Sequence, residues 1–133
     1  MTTVVLGYVP KPEGEAALAA AISEARLRTA DLVVVSAHRA RHSDADWAAE
    51  LSDELEDVQT RARAEGLNVE IRTPQSELEP ADDLIAIAAE VDADLIVIGL
   101  RRRTPVGKLI LGSSAQRILL DAHCPVLAVK SHG

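Results

Sequence analysis

The 133-residue sequence contains no phenylalanine, one tryptophan, one tyrosine, one methionine and one cysteine. Each shortage removes a class of function. Without aromatic platforms there is little on which unpaired bases could stack. A net charge of −7 removes the basic face that a general nucleic-acid or anionic-membrane binder presents. Cys124 alone cannot close an internal disulfide, so a disulfide-stapled secreted scaffold is excluded and a cytoplasmic protein is expected. No apolar stretch approaches the roughly 20 residues that span a bilayer. The opening Met1-Thr2-Thr3-Val4 lacks a basic region followed by a long apolar run, so no signal peptide is expected.

What is present is aliphatic. Hydrophobic residues make up 47% of the chain, enough for one continuous core, and that core must be built from Ala, Val, Leu and Ile. Short apolar runs alternate with longer helical stretches. Val4–Val9 is a β-rich run ended by Pro10 and Pro12, and Leu32–Ala37 is a second. Leu67–Thr73 alternates apolar and polar residues, as a strand nearer a sheet edge does. Leu95–Ile98 is continuously apolar, as in a strand covered on both faces. Val126–Val129 is the last strand, with Pro125 at its start, where a missing N–H does least harm.

Between these lie four helical patterns. Glu15–Arg28 carries Ala17, Ala21 and Ala25 on one stripe. Ser43 and Asp46 form a capping box; Trp47, Leu51, Leu55, Val58 and Ala62 then recur at helical spacing, and Gly66 supplies a left-handed stop. Trp47 falls on that apolar stripe, which favours a core position over a ligand platform. Pro80 suits a first helical position and precedes Leu84, Ala88 and Val91. A helix over Ser113–Ala122 points Ala115, Ile118 and Ala122 inward. The order βαβαβαβαβ predicts an α/β fold: a single domain over residues 1–133 with an open five-stranded parallel sheet and helices on both faces.

In such sheets ligands bind outside the carboxyl ends of the strands, where strand order reverses. Lys11, Arg39, Arg41, Arg101, Arg102, Arg103 and Lys108 fall in the loops at that edge, half of the 14 Lys and Arg residues. Two readings fit: ordinary solvated loop charge, or a crevice that favours anions. The stretch Gly99–Ser114 leaves a strand, makes a long loop and enters a helix at Gly112-Ser113-Ser114. Free N–H groups and the positive end of the helix dipole suit a phosphate there, although Gly-Ser before a helix also serves as a plain cap. The stretch is not a Walker loop, because Leu109 follows Gly107-Lys108. Nor does a dinucleotide fingerprint follow the first strand.

Other constellations are weaker. His38 and His42 have a spacing that can hold zinc, but no third ligand is near in sequence. His123 and Cys124 are adjacent at a strand entry and point apart, so they make no nucleophile pair, and Cys124 reads as a small core residue. Asp82 and Asp83 suit a helix start; Asp92 and Asp94 flank a strand at the end opposite the crevice. No hydrolase triad is present, and the first strand lacks the loop hydroxyls of a flavin carrier.

At Gly99–Ser114 the sequence resembles the universal stress protein family. ATP-binding members carry G-x2-G-x9-G-[ST] after the fourth strand; Gly99 matches the first glycine, and Gly112 with Ser113 the last pair. Asp94–Gly99, Ile118–Val129 and Glu15–Leu18 also match, and the similarity runs from about Val4 to Lys130. The resemblance implies sheet order 3-2-1-4-5 (adenine nucleotide alpha hydrolase-like), a regulatory role without main catalytic activity, and a homodimer. It implies nucleotide or anion contacts from Gly7, Val9, Ala37, Gly99, Arg102, Arg103, Gly112, Ser113 and Ser114, with ATP or another adenine nucleotide as possible cofactor.

Two positions depart from the pattern. Arg102 replaces the middle glycine, where it either fills phosphate space or pairs with phosphate. Val9, in Tyr8-Val9-Pro10-Lys11, replaces the aspartate that ends the first strand. A lost hydrogen bond to a charged group costs ~1.5–3 kcal/mol, and ~1.4 kcal/mol is a factor of ten in affinity. Weakened or altered nucleotide binding is therefore expected. The alternatives are an ATP-binding member with slow or no hydrolysis, and a scaffolding dimer without a small ligand. The last strand is an apolar edge, so Val126, Leu127, Ala128 and Val129 are expected to pair across a two-fold axis.

Overall fold

A computed structural model of the chain describes residues 2–36, 45–74, 79–100 and 111–131, and for 45–51 the backbone alone. Five strands, β1 (Thr3–Tyr8), β2 (Asp31–Ser36), β3 (Val69–Arg72), β4 (Leu95–Leu100) and β5 (Val126–Lys130), alternate with helices α1 (Pro12–Arg28), α2 (Ala45–Ala64), α3 (Pro80–Glu90) and α4 (Ser113–Asp121). The sheet order is β3-β2-β1-β4-β5, and every neighbouring pair is parallel. The order and direction expected from the sequence are both present.

Strand parity divides the core in two. Val4, Leu6 and Tyr8 of β1, with Leu32, Val34, Leu95 and Val97, pack against Ala17, Leu18, Ala21 and Ala25 of α1 and Leu55, Val58 and Ala62 of α2. Val5, Val33, Val35, Ile96 and Ile98 face the other way, against Ala81, Leu84, Ile87 and Ala88 of α3 and Ile118 of α4. The three central strands are thus covered on both faces, which explains their unbroken apolar runs. The alanine stripe of α1 lets its backbone come close to the sheet. Val91, expected on the buried stripe of α3, instead caps that helix and is half-buried. No described helix is long and apolar enough to cross a membrane.

The boundaries differ from expectation most at α1. Pro10–Gly14 reads as loop in the sequence, yet the helix starts at Pro12 and takes Glu13 and Gly14 into its first turn. Proline at the first helical position forgoes an N–H that would be unpaired anyway, and Glu13 and Glu15 complement the helix dipole.

Three helices end in the same geometry. After α1, Thr29 adopts φ 52° and the Ala30 N–H donates to the Ala25 carbonyl at 2.8 Å. Gly66 (φ 82°) follows α2, with Leu67 N–H donating to Ala62 O at 3.3 Å; Asp92 (φ 55°) follows α3, with Ala93 N–H donating to Ala88 O at 2.9 Å. Each is a left-handed Schellman-type stop, but only Gly66 is free of a Cβ penalty. Thr29 is β-branched, the side-chain type least suited to positive φ. Thr29→Gly should therefore stabilise the protein and Gly66→Ala should destabilise it, each by about 1 kcal/mol. Urea denaturation midpoints of the two variants, moving in opposite directions, check this.

Candidate functional site

Strand order reverses between β1 and β4. From β1 the chain moves outward to β2 and β3; from β4 it moves the other way to β5. The two crossovers diverge there and leave a crevice outside the carboxyl ends. Because β4 and β5 are parallel, α4 must carry the chain back, so its N-terminal end lies at the same edge. The N-termini of α1 and α3 lie there for the same reason.

Close approach defines the walls. Gly99, near the end of β4, lies under the first turn of α1: a Cβ at position 99 would overlap the Glu13 carbonyl and come 3.0 Å from the Glu13 Cβ. Gly14 sits against the Val9 carbonyl, which a Cβ would also overlap; the same oxygen accepts the Lys11 N–H at 2.8 Å. Gly7 faces the opposite side, where a Cβ would come 3.0 Å from Leu84 Cδ2. Gly7 and Gly99 thus have a packing reason to be glycine, independent of any ligand. Val9 is half-buried just beyond β1.

Gly112 is the N-cap of α4, with no side-chain cap. Ser113 and Ser114 are exposed behind it. Gln116 closes the turn, its N–H donating to Gly112 O at 3.0 Å and its Nε2 to Leu111 O at 3.1 Å. First turns of α1 and α3 contain acids, Glu13 with Glu15 and Asp82 with Asp83; the first turn of α4 contains none. Its positive dipole end is the one of these three that its own sequence leaves uncompensated by an acid. Ala37, Arg102 and Arg103 lie outside the described residues, as do Arg39, Arg41, Arg101 and Lys108. Lys11 is described and exposed at the N-cap of α1.

A polar bridge braces the tip of β1. Tyr8 is buried, and its hydroxyl donates to Glu15 Oε1 at 3.1 Å. Glu15 Oε2 accepts from Arg61 Nη1 of α2 at 2.8 Å. Strand, α1 and α2 are thereby tied together beside Val9. The Arg61 hydrogen bond holds the Glu15 carboxyl below the usual glutamate range, against the opposing effect of burial. Burial, and then the Glu15 charge, pushes the Tyr8 hydroxyl well above an ordinary tyrosine.

Three polar side chains are buried among the described residues, and all stand at this edge: Glu13 in the first turn of α1, Ser36 ending β2, and Ser131 just past β5. None of the three stood out in the sequence. Pro12 was the available signal for Glu13, since a helix starting at that proline brings residue 13 into its first turn.

The weaker constellations resolve as structure. Asp94 Oδ2 accepts the Thr3 N–H at 2.9 Å at the amino edge of the sheet, and Asp82 pairs with Arg117 at 2.9 Å. Cys124 is half-buried against the Val5–Ile96 side of the core, and burial followed by the Asp94 charge pushes its thiol up, away from the reactive thiolate. His38 and His42 lie outside the described residues; among those described, no three His, Cys, Asp or Glu side chains group to hold a metal.

Comparison with known proteins agrees with this architecture. The model of the Universal stress protein family matches residues 1–130. The chain is 43% identical over 131 residues to a universal stress protein of Mycolicibacterium smegmatis, covering 98% of each. A solved universal stress protein from Archaeoglobus fulgidus superposes with a TM-score of 0.80 at 36% identity, over 98% of both chains. Another structure from that organism, solved in complex with dAMP, gives a TM-score of 0.75 at 32% identity, again over 98% of both.

The Tyr8–Glu15–Arg61 bridge makes stability depend on pH at both extremes. The Glu15 carboxyl is depressed in the folded state, so its contribution is present above the unfolded glutamate pKa of about 4.3 and is lost on acidification below it. The Tyr8 hydroxyl is raised in the folded state, so its contribution is complete below about pH 10 and declines at higher pH as the unfolded tyrosine ionises first. Urea midpoints measured against pH should show a shallower acid limb in Glu15→Gln and a shallower alkaline limb in Tyr8→Phe.

Proposed function

The chain belongs to the universal stress protein family, and we propose that it is a small regulatory, ligand-sensing member. In this reading it acts in the cytoplasm and takes an adenine nucleotide, or a related phosphorylated anion, weakly at the carboxyl edge of β1 and β4. The observation that carries the reading is the start of α4 at the switch point. Gly112 gives close access to the backbone, Ser113 and Ser114 offer exposed hydroxyls, and no first-turn acid competes for the dipole. That combination suits a phosphate. The cationic sequence of the neighbouring loops adds positive potential. A family neighbour solved with dAMP supports the choice of an adenine nucleotide.

Weak binding follows from position 9. The half-buried aliphatic side chain of Val9 offers no hydrogen bond at the tip of β1. Arg102 stands where the family pattern has glycine. No catalytic group is assigned, and binding with slow or no hydrolysis is the nearest alternative.

The second part of the proposal is a homodimer through β5, whose ladder with β4 leaves alternate backbone groups facing outward. β5 is an edge strand. The Ile96 N–H donates to the Pro125 carbonyl at 3.0 Å. In a parallel ladder the backbone groups of residues 125, 127 and 129 then face β4, and those of Val126, Ala128 and Lys130 face outward. A second copy can pair with these free groups, leaving the intramolecular ladder intact.

Two measurements test the proposal. Isothermal titration with ATP and AMP should give dissociation constants above about 100 µM, and Val9→Asp should tighten them about tenfold. Stoichiometric ATP on the purified protein, or low-micromolar affinity, contradicts weak binding. Light scattering should show a dimer that Ala128→Pro splits into folded monomers, because proline removes an outward N–H only. A wild-type monomer at tens of micromolar rules out the interface.

A further inference from the structure

The buried polar side chains are not scattered. Glu13 is 9% exposed, Ser36 4% and Ser131 7%. By strand parity Ser36 continues Leu32 and Val34, and Ser131 continues Leu127 and Val129; all of these face the α1 side of the sheet. Gly99, which touches Glu13, faces the same side. The three polar groups therefore share one face of the carboxyl edge, across β2, β4 and β5.

Glu13 is the costly member. Its side chain makes no hydrogen bond or ion pair with another described residue, and a buried polar group left without a partner is unfavourable. The helix dipole stabilises an acid at this position, but Glu15 obtains that benefit while half-exposed and satisfied by Tyr8 and Arg61. Nothing about the dipole requires Glu13 to be buried at the tip of β4. A metal ion is a poor complement, because no second and third acidic or imidazole ligand accompany Glu13 among the described residues. A neutral donor pair suits it better. Two hydroxyls on adjacent sugar carbons match the two oxygens of a carboxylate, which is how an acidic side chain recognises a ribose in other doubly wound sheets. They add no charge to a ligand whose phosphate is held elsewhere.

We infer that Glu13 is a specificity-determining residue of the crevice, accepting hydrogen bonds from the ribose hydroxyls of the ligand and selecting ribonucleotides over 2′-deoxyribonucleotides. Ser36 and Ser131 lie on the same face of the edge, at the ends of β2 and β5. The inference rests on the nucleotide reading of the same crevice. The phosphate is held at α4, and Glu13 reads the sugar. Removing the carboxylate should then change the preference between sugars and not the attraction to phosphate.

The test is a titration of the full chain with AMP and with dAMP, followed by NMR to concentrations of about 5 mM so that weak binding is read directly. The wild type should bind AMP about tenfold more tightly than dAMP, the worth of one good hydrogen bond to a charged acceptor. In Glu13→Gln the ratio should fall to within about twofold, because AMP loses its contacts through both hydroxyls and dAMP only the one through its 3′-hydroxyl. Glu13→Asp, which keeps the charge but withdraws it by one methylene, should also lose the preference. Urea midpoints of both variants establish that they fold. A ratio that is the same in wild type and both folded variants overturns the role of Glu13 and leaves nucleotide binding standing. Failure of the wild type to bind either nucleotide overturns the nucleotide reading, and this inference with it.

Discussion

Helix α1 lies against the carboxyl end of β4 because two positions carry no side chain. At Gly99 a Cβ would run into the Glu13 carbonyl, and at Gly14 it would run into the carbonyl of Val9. The first removes the barrier between helix and strand; the second lets the chain turn from β1 into α1 within three residues. Much else at the site follows from this contact. It places the first turn of α1 over the sheet edge, buries Glu13, and fixes the distance over which Glu15 reaches Tyr8. A bulkier residue at either position would lift the helix and open the edge to water.

The same contact separates two environments. Below the edge the core is aliphatic on both faces of the sheet, with Tyr8 contributing the one aromatic ring among the described core residues. Such an interior has no hydrogen-bonding capacity beyond its backbone ladders. Polar chemistry is displaced to where the strands stop, and there Glu13, Ser36 and Ser131 collect. Tyr8 marks the boundary: its ring belongs to the core and its hydroxyl to the bridge with Glu15 and Arg61. The bridge holds the tip of β1 while the neighbouring Val9 contributes only bulk. The edge combines a rigid apolar floor with a few fixed polar groups, the usual composition of a small-molecule site.

The remaining ion pairs hold the periphery. Arg72 of the edge strand β3 pairs with Glu70 at 2.7 Å and with Glu90 at the end of α3 at 2.8 Å. Arg26 pairs with Glu65 at 2.9 Å, joining the ends of α1 and α2. These are solvent-facing contacts, each worth little alone. The charges on β3 also blunt that edge against pairing. β5 has Lys130 alone for this purpose, which leaves it the less protected of the two edges.

The sequence by itself determined the element order, the parallel sheet and most of the core among the described residues; Trp47 and Leu51, expected on the buried stripe of α2, have side chains outside the described residues. Hydrophobic period is a local property, and right-handed crossovers leave few ways to arrange βαβ units. Leu95–Ile98 as a doubly covered strand, Gly66 as a left-handed stop and Pro80 as a helix start could all be read directly. So could the family, because Gly99, Gly112 and Ser113 keep their spacing along the chain. The tertiary structure alone decided which glycines serve packing and which polar residues are buried. Gly99 read as a ligand glycine, and only its contact with Glu13, 86 positions away in sequence, shows the helix it admits. Glu13, Ser36 and Ser131 are ordinary polar residues in a linear text. Their burial arises when four separate crossovers bring their ends to one edge, and no local pattern carries that information.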